Sequence, residues 1–555
     1  MENITLKTIP FNKDSSELIS FKLSEEDKNL SINWPTVYIL YNENEAYIGE
    51  TYKVKERFKQ HWENEERRKL KEACIIIDGE SNKSVTLDLE SFLIRYISSD
   101  GLFKLQNSNR GLLNYDYYNR EKYRIKFEKI IWPKLKKLGL AKRELKWIQN
   151  DDLFKYSPYT PLAANQNEIL NKILNELVNS FNRNVSILVN GGAGTGKTVL
   201  GSYLMKLLIS EEDSFEEDEI KMDLARIKTK ISKIGFIIPQ QSLRKTLKRA
   251  FNKISGLNSA MVLSPNDVAK AKDKYDLLIV DEAHRLRRRK NLSNYKDFDE
   301  NNRKLGLDKD STELDWILKK SKYQIFFYDV NQSIKPTDIG HDYFLKQIKN
   351  SSLFFEHILV SQFRVKGGDN YISYIKNILE SYPCKRKVFS EYDFRNFNNF
   401  EDLVNEITLK EQEFKLSRLV AGYGWKWISK KDSNLFDIEI ESKKFKWNTE
   451  SLDWINSKNS ITEIGCIHTI QGYDLNYIGV IFGPEIDYDF EKNKIKILKE
   501  NYHDFNGKRS VTDKELESYI KNIYGVLLTR GMRGTYTYAV NDNMKKYLAG
   551  LIHTV

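Results

Sequence analysis

The chain has 555 residues, too many for one hydrophobic core, so two to four domains are expected. Lys+Arg 89 against Asp+Glu 78 gives a formal net charge of +11, a modest excess that suits a polyanion-binding surface without requiring one. Cys74, Cys384 and Cys466 are too scattered for a disulfide framework or a CxxC zinc pair, and neither a basic-then-apolar leader nor a spanning apolar run is visible, so a cytoplasmic protein outside the membrane is expected.

Residues 1–33 are polar and mixed in charge and read as an N-terminal extension or loose arm. Residues 34–114 form a compact α+β pattern: a hairpin in TVYILYNENEAYIGET, a basic amphipathic helix from Lys53 to Ala73, a strand in ACIIID and a helix in LDLESFLIRYIS. Residues 115–156 read as a helical connector interrupted at Pro133. From residue 157 onward short apolar runs alternate with helical patterns, which indicates parallel sheets, one lobe over 157–355 and a second over 356–555. Two charged stretches break that rhythm. Glu211–Lys230 reads as a solvated insertion or surface helix, and Arg285–Lys304 opens with a cationic run suited to a phosphate backbone.

Gly191–Thr198 spells G-x-x-x-x-G-K-T between a strand and a helix. In such a loop Gly191, Gly194 and Gly196 let backbone N–H groups converge on phosphate oxygens, Lys197 reaches the β and γ phosphates, and the Thr198 hydroxyl holds Mg²⁺. YDLLIVDEAHRL ends an apolar strand in Asp281, a second Mg²⁺ ligand, and Glu282, which can orient or deprotonate the attacking water. Together they favour ATP hydrolysis over mere binding.

With these motifs the chain resembles superfamily 1 helicases, and more closely the Schlafen group 3-like DNA/RNA helicase family, over about residues 157–541. The resemblance implies two RecA-like parallel-sheet lobes. It implies Gln166 as the adenine-reading glutamine and Pro239–Phe251 as a segment on the nucleic-acid strand. Gln332 would sense the γ-phosphate, Arg364 and Arg530 would be arginine fingers, and Asp474 would meet the ribose. Tyr423, Trp425 and Trp427 beside Lys426 and Lys430 are better explained by packing than by base stacking.

The N-terminal module resembles GIY-YIG nucleases. VYIL supplies Tyr38, AYIG supplies Tyr47 and Gly49, and Arg57 and His61 stand four apart on the following helix, hence on one face. Glu90 matches the family's metal-binding glutamate, and either Asn107 or Asn109 its late asparagine. The first glycine of the pattern is replaced by Val37. The resemblance implies phosphodiester hydrolysis, with Glu90 on Mg²⁺, Arg57 on the scissile phosphate, and Tyr38 as base if a cation or His61 favours its phenolate.

The fold expected is therefore α/β, two P-loop-type lobes preceded by a small α+β nuclease module. The function expected is an ATP-dependent motor coupled to Mg²⁺-dependent DNA cleavage, in bacterial genome defence (antiviral) or repair. Two other readings fit the same residues: a nucleic-acid-activated ATPase switch with a binding-only module, and an RNA-directed nuclease.

Overall fold

The computed structural model describes residues 4–15, 33–107, 117–210, 218–360, 365–450, 454–470 and 473–555. The chain divides into two compact units. One comprises Met1–Asn179, Thr198–Ser232 and Thr246–Val262; the other comprises Ser180–Lys197, Lys233–Lys245 and Leu263–Val555.

The first unit is built on a mixed sheet of β1 (Ile4–Pro10), β2 (Thr36–Tyr41), β3 (Glu45–Thr51), β4 (Glu72–Asp78) and β5 (Lys104–Leu105), in the order β1-β4-β2-β3-β5. The loose arm expected over residues 1–33 is corrected at its start, because Ile4–Pro10 pairs antiparallel with β4. Ile9 and Phe11 supply the reason, burying themselves in the core that holds Tyr38 and Phe58. Residues 16–32 lie outside the described set.

The helix expected from Lys53 to Ala73 is shorter. It forms α1 (Val54–Glu63) and stops at Asn64, whose backbone is extended and whose Oδ1 accepts the N–H groups of Glu66 at 3.1 Å and Arg67 at 3.0 Å. An Asn side chain that serves the next turn's donors competes with helix continuation. The second helix, α2 (Lys83–Asp100), starts on Asn82, which accepts Val85 N–H at 3.1 Å, and ends at Gly101 with φ +75°.

Pro133 does not interrupt the connector. Arg120–Lys126 runs into a π-helical turn at Phe127–Ile131 and on into Trp132–Lys137. The wider turn accommodates a residue that can neither donate nor sit close to the preceding carbonyls. Farther on, α3 (Ala164–Val178) buries Ile169, Leu170, Ile173, Leu174 and Leu177, and packs against the helix Asp218–Lys230, whose Leu224 and Ile227 are buried. The acidic stretch thus has an apolar face, the surface-helix alternative; residues 211–217 lie outside the described set.

The second unit carries the parallel sheets. The first comprises β6 (Val185–Gly191), β7 (Ile234–Ile237), β8 (Val262–Leu263), β9 (Tyr275–Val280), β10 (Ser321–Tyr328) and β11 (Leu353–Leu359), in the order β11-β6-β10-β9-β7-β8. Helix α4 (Lys197–Ile209) belongs to the first unit beyond Lys197, and α5 (Gln241–Asn252) does so from Thr246. Leu188, Leu278 and Phe326 are fully buried, as strands covered on both faces require.

The other sheet is β12 (Asp393–Asn396), β13 (Ser417–Ala421), β16 (Ile464–Gly465), β17 (Leu475–Phe482) and β20 (Gly531–Ala539), ordered β12-β20-β17-β13-β16, with side hairpins β14–β15 (Ile438–Ile440, Lys443–Phe445) and β18–β19 (Ile486–Asp489, Lys494–Ile497). Helix α6 (Asp513–Leu528) opens with a capping box between Thr512 and Glu515. Tyr423 stacks on Trp447 with ring centroids 5.6 Å apart, and Trp425 meets the same ring edge-on, so these aromatics pack a core. The cationic run after β9 is largely committed: Arg287 pairs with Glu313, Arg289 with Asp299, and Arg288 donates to the Pro336 carbonyl.

Glu485 is buried with no cation paired to it among the described residues. The Glu485 carboxyl fills the space left by Gly422, Gly424 and Gly483, where any Cβ would overlap it, and accepts the Tyr524 hydroxyl at 2.6 Å. Burial pushes it up to about 7. A carboxyl raised in the folded state contributes stability that is full below its unfolded value and lost as pH rises through its folded one. The loss between about pH 5.5 and about 7 is on the order of 2 kcal/mol. Glu485→Gln keeps shape and hydrogen bond, so thermal unfolding followed by calorimetry should fall by several degrees across that interval in the wild type and stay level in the variant.

Candidate functional site

Strands β6, β10 and β9 are neighbours, so the loops leaving their carboxyl ends lie side by side, where open parallel sheets bind ligands. The phosphate loop leaves β6. Gly194 and Gly196 have φ of +83° and +78°, a backbone that side chains disfavour and that turns successive N–H groups inward. Lys197 Nζ donates to the carbonyls of Gly191 at 2.7 Å and Gly192 at 2.8 Å, and Thr198 follows in the first turn of α4.

Asp281, fully buried, follows β9. Glu282 sits in the left-handed region, φ 53° and ψ 42°, a strained conformation for a side-chain-bearing residue and one that accompanies function. Burial opposes its charge, but His284, Lys197 and Arg285 outweigh that and hold its carboxyl well below the usual range. His284 Nδ1 accepts the Asp329 N–H at 3.3 Å, which assigns the ring proton to Nε2, 3.0 Å from Glu282 Oε2. His284 therefore presents its Nε2 to the Glu282 carboxylate.

Asp329 follows β10 and joins the two sheets' chemistry. Its Oδ2 lies 3.6 Å from Lys197 Nζ and accepts Gln332 Nε2 at 2.5 Å; Gln332 Oε1 in turn accepts Arg530 Nη2 at 3.2 Å. Arg530 immediately precedes β20 and Asp474 immediately precedes the neighbouring β17, where Leu475 N–H donates to the Arg530 carbonyl at 3.0 Å. The structure thus brings Lys197, Glu282, Gln332 and Arg530 into one network, with Asp474 at its edge. Gln166 belongs to the other unit, on the first turn of α3, where its Oε1 accepts the Ala163 N–H at 3.0 Å. Arg364 lies outside the described residues. Sequence reasoning missed His284 and Asp329; the signal for the first was its place two residues after Glu282.

In the N-terminal unit Tyr38 and Gly49 are register partners across β2 and β3. The Tyr38 hydroxyl is 2.7 Å from His61 Nε2, and its ring meets Phe58 of α1 edge-on at 5.3 Å. Tyr47 lies edge-on to His61 at 4.8 Å, with the Arg67 guanidinium 3.9 Å above its ring centre. Arg57, one turn before His61, faces both tyrosines: burial opposes its charge, and the Tyr38 and Tyr47 oxygens outweigh that. Burial, then Arg57 and Arg67, lower His61 to about 3, so its ring is neutral at ordinary pH. Burial and then Tyr47 raise Tyr38 well above an ordinary phenol. The condition set for Tyr38 as base, a phenolate favoured by a cation or by His61, is thus not met at rest, where a phenol faces a neutral imidazole.

Glu90, on α2, is pushed up to about 8 by burial and then by Glu50, with Lys83 and Arg57 pulling the other way. Glu50 itself pairs with Lys83. Asn107 is placed against β3: its Oδ1 accepts Ile48 N–H at 3.0 Å and its Nδ2 donates to Ile48 O at 2.7 Å. Asn109 lies outside the described residues. Glu50, Lys83 and Arg67 were not singled out from sequence, since each becomes part of the centre only through tertiary approach.

Gly49 is demanded by close approach, because a Cβ there would overlap the Tyr38 hydroxyl and sit 3.0 Å from Tyr47 Cε1. Gly49→Ala should therefore lower nucleic-acid cleavage by about 100-fold at a stability cost of about 1–3 kcal/mol, ATP turnover being unchanged. Cleavage at the wild-type rate by a folded Gly49→Ala protein would contradict this geometry.

Residues 184–541 match the family described as Schlafen group 3, DNA/RNA helicase domain. That match spans well over half of the chain, and the chain belongs to this family. Residues 35–101 match the GIY-YIG catalytic domain. The protein is thus a nucleic-acid enzyme with a GIY-YIG domain and two parallel sheets resembling the RecA-like lobes of helicases. It is similar to an uncharacterized protein of Saccharomyces cerevisiae, 25% identical over 433 residues, which are 70% of this chain and 90% of that one. Among solved structures it is similar to Arterivirus nonstructural protein 10 (helicase), at 13% identity and a TM-score of 0.29, over 68% of this chain and 64% of that one. It is also similar to the Pif1 helicase from Bacteroides in complex with ADP-AlF3 and ssDNA, at 14% identity and a TM-score of 0.27, over 68% of this chain and 93% of that one. No helix among the described residues is long and apolar enough to cross a membrane.

Proposed function

We propose that the chain is an ATP-driven motor on nucleic acid whose N-terminal domain hydrolyses DNA phosphodiester bonds with Mg²⁺, acting in the cytoplasm in bacterial genome defence or repair. The observation that supports this reading is that one chain holds both a phosphate-loop lysine linked through Asp329 and Gln332 to Arg530 and a Tyr38–His61 pair faced by Arg57.

In the motor, the phosphate loop and Lys197 bind the ATP phosphates, and Thr198 and Asp281 hold its Mg²⁺. Glu282, oriented by His284, takes the proton of the attacking water, while Gln332, Arg364 and Arg530 face the γ-phosphate charge. Gln166 reads the adenine and Asp474 the ribose. The network from Lys197 through Asp329 and Gln332 to Arg530 supports nucleotide occupancy setting the second sheet against the first.

In the nuclease, Glu90 would hold Mg²⁺ with Glu50 beside it; a buried carboxyl whose proton affinity a neighbouring carboxylate raises suits a divalent cation, which binds through one or two carboxylates. When bound, the cation polarises the phosphate as a Lewis acid. Arg57 neutralises the scissile phosphate. With the ring proton on Nδ1, His61 Nε2 accepts the Tyr38 proton, so Tyr38 can take one from water as it yields its own.

The binding-only switch keeps one observation in its favour, the complete burial of Tyr38. Matched single- and double-stranded DNA and RNA, incubated with and without ATP and Mg²⁺, separate the readings. Metal-dependent DNA cleavage altered by ATP is expected. Faster RNA cleavage would transfer the substrate to RNA, and retained binding with no cutting at any Mg²⁺ concentration would leave the switch.

A further inference from the structure

We infer that Arg67 is a substrate contact of the nuclease centre and binds the DNA phosphate next to the scissile one. The inference deepens the reading of Tyr38, Tyr47 and Arg57 as that centre and rests on it.

Residues 67–69 are three cations in a row, and the fold uses them differently. Lys69 Nζ pairs with Glu66 at 2.5 Å. Arg68 donates from Nε to the Trp62 carbonyl at 2.8 Å and lies over that indole. Arg67 turns onto the nuclease strands instead: its guanidinium stands 3.9 Å above the Tyr47 ring centre, and its Nη1 donates to Gln106 Oε1 at 3.3 Å. Both of those partners are neutral. Among the described residues no carboxylate pairs with Arg67, and its Nε is buried with no acceptor.

The side chain is held at both ends. Asn64 Oδ1 accepts the Arg67 N–H at 3.0 Å, and the Arg67 carbonyl accepts the N–H of the fully buried Leu70 at 3.0 Å. Gln106 is fixed in turn, its N–H donating to the Ala46 carbonyl at 2.9 Å and its Nε2 to Glu45 Oε2 at 3.1 Å. A guanidinium set between an anchored ring and an anchored amide has lost much of its rotamer freedom before a ligand arrives, so little ordering remains to oppose binding.

The charge of Arg67 reaches the reacting groups. After burial and Arg57, it is what lowers His61. Tyr47 stands between the two guanidiniums, Arg57 at its oxygen and Arg67 on its ring face. Two cations gathered at one phenol repel each other, and a polyanion relieves that cost. With Arg57 on the scissile phosphate, the Tyr47 ring keeps Arg67 off that group and leaves it the neighbouring one, whose oxygens suit a planar fork of donors.

Two measurements on the full chain test this. Affinity for a short DNA duplex without Mg²⁺, followed by fluorescence anisotropy across a range of NaCl, should show a slope of log affinity against log salt that is smaller by about 1 in Arg67→Gln and unchanged in Arg67→Lys. Once the cut is mapped, a single methylphosphonate is placed at each phosphate flanking it. One of the two should slow single-turnover cleavage by the wild type at least about tenfold. Arg67→Gln should lose as much on ordinary DNA and less than about twofold more on the modified strand. An unchanged salt slope in a folded Arg67→Gln overturns the inference. Equal methylphosphonate penalties in the two proteins overturn it as well, because Arg67 would then only prop the Tyr47 ring. A reduced slope in a chain whose wild type cuts no DNA overturns the nuclease reading and leaves Arg67 a phosphate contact.

Discussion

Glu90→Ala is expected to lower phosphodiester cleavage by at least about 1,000-fold, equivalent to about 4 kcal/mol of transition-state stabilisation, while ATP turnover stays within about twofold of wild type. Glu90 projects from α2, and its carboxyl is the one in the nuclease whose proton affinity burial and Glu50 raise most plainly. Glu50 is already engaged with Lys83, so it does not take over the cation by itself. Glu90→Gln, nearly the same in shape, should behave as Glu90→Ala does if charge is what matters. The measurement is single-turnover cleavage beside steady-state ATPase on one preparation. Cleavage within about tenfold of wild type would move the cation away from Glu90.

Lys197→Ala should reduce ATP hydrolysis by about 100-fold or more, because it removes the one cation that the phosphate loop places among its own carbonyls. The loss reaches farther than the loop, since Lys197 also faces Asp329, and through Gln332 that carboxylate communicates with Arg530. The informative comparison is Glu282→Gln, which leaves the phosphate cradle intact. Its ATP affinity should hold while kcat falls, whereas Lys197→Ala loses both, as pre-steady-state binding and turnover would resolve. If cleavage in Lys197→Ala proceeds at the wild-type rate with ATP present, nucleotide does not gate the nuclease.

What could be read from sequence follows the range of the interactions. The phosphate loop and the Asp281–Glu282 strand end are local patterns, and their residues meet because parallel neighbours align their carboxyl ends. The Tyr38, Tyr47, Arg57 and His61 set was legible because a hairpin and one helical turn suffice to converge it. The strand Ile4–Pro10 was not, since its polar face dominates the local pattern and only pairing with a distant strand fixes its state. His284, Asp329 and the Asn107 grip on Ile48 rest on contacts across 45, 132 and 59 positions, which no spacing rule encodes. The π-turn before Pro133 escaped for a different reason: proline marks a break only if the backbone cannot widen upstream of it.

The helix α3 also bears on how the molecule can be taken apart. Its apolar face is covered by Asp218–Lys230, a helix that lies beyond the phosphate loop in sequence. A truncation placed just ahead of residue 184 would strip Leu224 and Ile227 of their partner, and one placed near residue 150 would part Asn107 from Tyr159, whose hydroxyl donates to its carbonyl. Fragments cut at either place should therefore be less soluble than the full chain, since each cut separates buried partners.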